Sequence, residues 1–277
     1  MIGACALASG SPIVQQVFEV PVVLRAPGGS DASQSIAVVV VRDAGRKQGP
    51  FLVLEHGRQQ DATRRRALGR VSYPANSAYF ASLGFVVLVP TRAGYGITGG
   101  SDFESTGECG AKDYQAGLAP AVSETRQLLE FAAALPYVDR TRGLIVGESF
   151  GGMLAIAAAT ARLPGVLGAV NFSGGDGGDP LLHPGAPCQP DLLSQAFAAY
   201  GAGNRIPTLW MYSANDRFWG PAYPGQWFAA FRHAGGTGTF VALPADGNNG
   251  HFVFNHNALA WHGPFESFAS GLGLITD

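Results

Sequence analysis

The sequence predicts one doubly wound α/β domain with a mostly parallel sheet of about eight strands flanked by helices. Three observations carry that reading. Short, continuously apolar, β-branched runs recur along the chain, as expected of strands covered on both faces. Between them lie Ala/Leu-rich stretches of helical period, long enough for the crossovers that parallel strands need. The 277 residues exceed a common domain length, yet no repeat or low-complexity linker divides them.

In chain order, residues 17–24 and 36–42 read as two early strands, an antiparallel edge turned at Pro27-Gly28-Gly29. Residues 51–55 form a short buried strand ending at His56-Gly57, followed by a long polar loop and a helix near 76–83. Residues 85–89 are a second buried strand, expected to stop at Pro90. Helical spacing over 120–135 places Leu128, Leu129, Phe131 and Ala132 on one stripe. Strands at 143–147, 166–172, 207–212 and 239–243 then alternate with helices near 153–161, 191–200, 222–233 and 258–269.

Composition narrows the function classes. The formal charge is −2 and only 14% of residues are charged, against roughly 25% in an average soluble domain. No basic footprint for nucleic acid is present. No apolar run approaches the roughly 18 residues that span a bilayer, so no transmembrane segment is expected. Neither CxxC nor HExxH occurs and the six histidines are scattered, so neither a metal nor a cofactor is expected. Oligomeric state is left open.

Residues 1–15 are expected to be a flexible N-terminus and 16–277 the single domain. Ala6-Leu7-Ala8-Ser9 has the small-x-small form of a signal-peptidase site, and Ile2-Gly3-Ala4-Cys5 loosely resembles a lipoprotein box. Two readings stand: a plain run of small residues, or the remnant of an export signal. With Cys5 set aside, Cys109 and Cys188 remain as an even pair in Gly/Pro-rich loops. A disulfide and an exported, periplasmic or secreted protein are the expectation; two unpaired thiols in a cytoplasmic protein are the alternative.

The strongest local signal is Gly147-Glu148-Ser149-Phe150-Gly151-Gly152, between an apolar strand and an alanine-rich helix. A nucleophile on so sharp a strand-to-helix turn takes strained backbone angles, and its neighbours must be small. Ser149 would project at the N-terminus of the following helix, where free N–H groups favour a developing oxyanion. Serine needs a general base oriented by a carboxylate, and after this elbow they follow in the order acid, then histidine. Asp216, after the strand at 207–212, and His251, after the last strand, are the candidates. Asp176 and Asp179 are alternative acids, and His256 and His262 alternative bases. The oxyanion donors are assigned to the N–H groups of Phe150 and Arg58, with Gly57 as the spare; His56 is expected to hold that loop.

With Glu55-His56-Gly57, Arg92-Ala93-Gly94-Tyr95-Gly96, the Ser149 elbow, Asp216 and Gly250-His251-Phe252 in place, the chain resembles the α/β-hydrolase superfamily. Within it, the chain is most similar to small lidless serine esterases of the dienelactone-hydrolase-like kind. The resemblance spans residues 51–252 and implies an α/β-hydrolase fold with minimal cap and cleavage of a small-molecule carboxylic ester through an acyl-enzyme. It departs from dienelactone hydrolases proper, which carry cysteine where Ser149 stands. The GESFGG string also resembles that of large carboxylesterases, in which the Glu beside the serine lies near the histidine, although this chain is far too short for that architecture and offers Asp as third member. Here Glu148 either supports the imidazolium or is a hydrogen-bonded buried carboxylate. The rival functions are a small peptidase or amidase with the same triad, and a non-catalytic hydrolase-fold binding protein.

Around the site, Tyr95, Phe218, Trp219 and Phe252 are the candidate substrate-binding residues, with ordinary packing as the alternative. Arg58, Arg64, Arg65, Arg66 and Arg70 read as a solvated charged face, or less readily as a site for an acidic substrate. Residues 173–202 could form a small cap, which a Cys109–Cys188 bridge would pin to the Tyr95 side.

Overall fold

The computed structural model describes residues 11–25, 29 and 31–275. Residues 1–10, which hold Cys5 and the export-signal motifs, and Pro27-Gly28 of the expected first turn lie outside them. The elements, in order, are β1 (Ile13–Arg25), β2 (Asp31–Asp43), β3 (Gly49–Glu55), α1 (Ala62–Arg66), α2 (Pro74–Ser82), β4 (Val86–Thr91), α3 (Tyr114–Ala132) and β5 (Val138–Glu148). There follow α4 (Phe150–Ala158), β6 (Val166–Phe172), α5 (Pro190–Gly203), β7 (Thr208–Ser213), α6 (Tyr223–His233), β8 (Gly238–Leu243), a short α7 (Val253–His256) and α8 (His262–Gly271). The eight strands form one sheet in the order β1-β2-β4-β3-β5-β6-β7-β8. Only the β1–β2 and β2–β4 pairings are antiparallel; from β4 through β8 every neighbour is parallel.

The continuous apolar runs have the expected cause. In β3, Phe51 and Val53 enter the core under α3 and α4, while Leu52 and Leu54 enter the core under α2 and α8. Adjacent residues of a strand point to opposite faces, and both faces are covered. Helices α5 and α6 extend the α3–α4 layer through Leu193, Phe197, Trp227 and Phe231. Ser149, Asp216 and His251 all follow the carboxyl ends of parallel strands, where an open α/β sheet makes its crevice.

Three sequence expectations need correction. Strand β1 begins at Ile13, so the boundary expected at residue 15 moves forward; the whole strand ladders with β2. Pro90 does not end β4: it lies opposite Val38, and pairing to β3 ends at Leu88, so its missing N–H breaks no ladder on that side. Pro120 does not open α3. That helix starts at Tyr114, capped by Asp113, whose carboxylate accepts the Ala116 N–H at 2.9 Å.

Cys109 and Cys188 are bridged, as expected, with Cα atoms 5.1 Å apart. The bridge closes a 79-residue separation, which the chain-entropy account values at about 4.5 kcal/mol. It ties the loop before α3 to the arm between β6 and α5. Of the stretch 173–202 expected as a cap, that arm alone borders the crevice; α5 packs into the helix layer. Among the described residues no helix is long and apolar enough to cross a membrane, and no cluster of three or more His, Cys, Asp or Glu is placed to hold a metal.

Candidate active site

The turn from β5 to α4 puts Ser149 at φ 55°, ψ −124°, a strained conformation that costs on the order of 1–3 kcal/mol. The flanking glycines are steric requirements. A Cβ on Gly147 would stand 2.1 Å from the Gly151 carbonyl oxygen, and one on Gly151 2.2 Å from the Glu55 oxygen. A Cβ on Gly152 would meet Asn171 Oδ1 at 2.4 Å. The Ser149 N–H is spent on the Phe172 carbonyl at 2.9 Å, and its own carbonyl accepts the Gly152 and Met153 N–H groups. Phe150 begins the helix, so its N–H has no partner within α4.

Asp216 and His251 meet. His251 Nδ1 lies 2.9 Å from Asp216 Oδ2, with both side chains buried. The other carboxylate oxygen accepts the N–H groups of Phe218 at 2.8 Å and Trp219 at 3.2 Å, which fixes the acid's orientation. Phe218 stacks on the imidazole with ring centroids 3.9 Å apart, and Trp219 meets it edge-on at 5.4 Å. Asn249 Oδ1 accepts N–H groups from both Arg217 and His251, joining the acid and histidine loops. Gly250 permits the approach, since a Cβ there would lie 2.4 Å from Ser213 Cβ.

Ser149 and His251 line the same cleft, about 1000 Å³ in volume. Gly57 and Arg58 form part of its wall, and a Cβ on Gly57 would sit 3.2 Å from Ser149 Cβ. Phe218 and Phe252 also line it. Tyr95 and Trp219 do not. Tyr95 is fully buried, donating its hydroxyl to Glu104 at 2.8 Å beneath the loop. Trp219 is buried behind the imidazole and donates its indole N–H to the Ser173 carbonyl at 2.7 Å. Both are corrections to the expected substrate-binding set, with the same reason: each ring had a better use as support.

The alternative residues are engaged elsewhere. Asp176 pairs with Thr106 and, at 3.7 Å, with Lys112. Asp179 accepts backbone N–H groups of Leu181 and Leu182. His262 stacks face-on against Tyr79 at 3.6 Å, and His256 is exposed at the end of α7. Glu148 lies in the cleft floor, its two oxygens accepting from the Tyr73 hydroxyl at 2.6 Å and Asn255 Nδ2 at 3.2 Å. Burial and the Glu148 carboxylate push the Tyr73 phenol well above its usual pKa, so it stays a neutral donor. Tyr73 and Asn255 were missed in the sequence because no motif marks them.

Also missed was the ionic network that holds the loop after β3. Arg92 donates to Glu55, to both oxygens of Glu104 and to the His56 carbonyl, and is itself buried. The Arg92 N–H donates to His56 Nε2 at 3.2 Å, which leaves Nδ1–H to donate to the Gly57 carbonyl at 2.7 Å. Burial and the Arg92 charge hold His56 well below the usual histidine pKa, so it is a neutral strut, as the sequence suggested. Arg58 and Arg65 do not join a solvated face: both turn onto Asp102, Arg58 as a bidentate pair at 2.8 and 2.7 Å. Arg64, Arg66 and Arg70 are the exposed ones.

Glu124 closes this network. Burial, reinforced by the carboxylates of Glu104 and Glu55, raises its pKa from 4.5 to about 8 against the pull of the Ala93 N–H and Arg92. Between those two values the folded chain holds a proton that the unfolded chain has released. The group therefore lowers stability as pH rises through that window, by about 1.4 kcal/mol per pH unit. Glu124→Gln is expected to flatten the fall in urea midpoint between pH 5 and pH 8; parallel curves for variant and wild type would mean that Glu124 ionises normally.

The chain has the α/β-hydrolase fold. The sequence profile of the prolyl oligopeptidase family matches residues 71–167, a stretch that includes the elbow. No curated protein sequence matches the chain. Among solved structures it is similar to a dienelactone hydrolase-like promiscuous phosphotriesterase from metagenomic libraries, at 17% identity and TM-score 0.59, with 94% of this chain and 98% of that one covered. An acetyl xylan esterase from Paenibacillus sp. R4 aligns at 19% identity and TM-score 0.58, covering 96% of this chain and 90% of that one. The Pyrococcus horikoshii acylaminoacyl peptidase aligns at 13% identity and TM-score 0.56, over 92% of this chain but 41% of the longer peptidase.

Proposed function

We infer that the protein is a serine hydrolase that cleaves small-molecule carboxylic esters through an acyl-enzyme. The observation that carries the reading is the strained Ser149 elbow sharing a cleft with His251, whose Nδ1 is bound by the buried Asp216. Ser149 Oγ attacks the ester carbonyl as His251 Nε2 takes its proton. Asp216 keeps the other imidazole proton on Nδ1 and stabilises the imidazolium. The Phe150 and Arg58 N–H groups receive the tetrahedral oxyanion. His251 then protonates the leaving alcohol, and water repeats the sequence on the acyl-enzyme. The similarity to an acetyl xylan esterase and to dienelactone hydrolase-like proteins supports the ester class.

A peptidase is the second reading, favoured by the prolyl oligopeptidase profile and by the similarity to an acylaminoacyl peptidase. A fluorophosphonate probe tests what both readings share: wild type is expected to label covalently and Ser149→Ala to remain unlabelled. Equal labelling of the two would remove the nucleophile. Turnover of nitrophenyl esters against peptidyl anilides separates the two classes, with esters expected to be the faster substrates. We propose further that the protein is exported, on the support of the disulfide.

A further inference from the structure

The arm between β6 and α5 is held more firmly than a passive connection needs. The Cys109–Cys188 disulfide ties its far end, where the Cys188 N–H also donates to the Gly177 carbonyl at 2.9 Å. At its tip, Asp179 Oδ1 accepts the N–H groups of Leu181 and Leu182, each at 2.9 Å, and the His183 N–H returns to the Asp179 carbonyl at 3.0 Å. The Gly185 N–H donates to the Arg217 carbonyl at 2.7 Å, anchoring the arm to the turn that carries Asp216 and Phe218. Gly178 lies so near that turn that a Cβ would stand 3.0 Å from Phe218 Cβ.

What this fixed frame displays is apolar and open to water: Leu181 is 81% exposed and Leu182 76%. Leu181 and Pro180 line the same cleft as Leu68, Val71, Phe218 and Phe252, the space that also contains Ser149 and His251. Leu182, the next residue, is outside the cleft lining. An exposed apolar rim continuous with a reactive cleft marks a place where apolar substrate surface is buried.

Resting on the ester-hydrolase reading of Ser149, we propose that this rim is the track for the acyl chain, with Leu181 as its outer clamp. The preferred substrates are then medium-chain esters rather than acetates. The acyl group stays on the protein through both halves of the reaction, so a fixed frame serves it throughout, whereas the alcohol leaves after the first half. A methylene fully buried is worth roughly fourfold in binding, and one lying against an open rim roughly half that factor.

The test is kcat/KM for nitrophenyl acetate, butyrate and octanoate with the full chain, the esters kept dilute enough to stay monomeric. Wild type is expected to favour octanoate over acetate by more than about tenfold, and Leu181→Ser to cut that ratio roughly five- to tenfold. Leu182→Ser, equally exposed but outside the cleft lining, is expected to keep the wild-type ratio. An unchanged ratio in Leu181→Ser, an equal fall in Leu182→Ser, or no chain-length preference in wild type would each overturn the proposal while leaving the ester-hydrolase reading intact. Undiminished ester hydrolysis by Ser149→Ala would instead remove the reading underneath it.

Discussion

Asparagine at position 216 is expected to lower kcat by about 10⁴-fold while leaving the fold intact. The carboxylate now accepts from three donors, the Phe218 and Trp219 N–H groups on one oxygen and His251 Nδ1 on the other. An asparagine side chain fits the same space, and its single oxygen is claimed by the two backbone donors. Its NH₂ group then faces Nδ1 and can be satisfied only if that nitrogen carries no proton. The imidazole is driven to the tautomer with its hydrogen on Nε2, the nitrogen that accepts the serine proton in the proposed mechanism. Nothing in this exchange depends on packing, so the urea midpoint should stay near that of wild type while turnover collapses. A small kcat change with unaltered stability would mean that Asp216 does not set the tautomer. Loss of stability in step with loss of activity would mean that its role is structural.

Why the meeting of these three candidates at one rim was legible in the sequence, while other features were not, follows from the kind of constraint each obeys. The elbow is local: Gly147, Gly151 and Gly152 are required by contacts with backbone or a buried amide at 2.1 to 2.4 Å, and that requirement is written as spacing. Asp216 and His251 could be expected to meet because an open parallel sheet gathers its carboxyl-end loops at one rim. The direction of a side chain within such a loop is not encoded by its position. Phe218 and Trp219 are adjacent, yet one ring covers the imidazole from the cleft and the other supports it from behind. Tyr95 sits on a loop after β4, and the buried Glu104 draws its hydroxyl inward. The ionic network was the least legible part. Glu55, Arg92, Glu104 and Glu124 are scattered along the chain, and isolated charges ordinarily mean solvent.

That network carries the second large effect. Arg92→Met is expected to destabilise the protein by about 3–5 kcal/mol, because it leaves buried carboxylates without their principal cation. Glu55 loses its 3.2 Å cation, and Glu104 keeps the Tyr95 hydroxyl at 2.8 Å but no cation nearer than Arg58 at 4.0 Å. Glu55 already has a raised pKa from burial even with Arg92 beside it, so in the variant it should take up a proton at higher pH still. The stability deficit is therefore expected to shrink at pH 5 and widen at pH 8, a pattern that a packing defect would not produce. Activity should fall as well, for a separate reason. The Arg92 guanidinium also holds the His56 carbonyl at 2.8 Å, directly before the Gly57-Arg58 wall of the cleft. If that wall supplies an oxyanion donor, releasing it costs on the order of 10²–10³ in kcat, measured at a temperature where the variant is still folded. Glu104→Gln, which removes one carboxylate and keeps the arginine, should cost less on both counts. Arg70→Met, at an exposed arginine, serves as the reference. A midpoint for Arg92→Met no lower than for Arg70→Met would mean that the buried charges find other partners and that the loop stands without them.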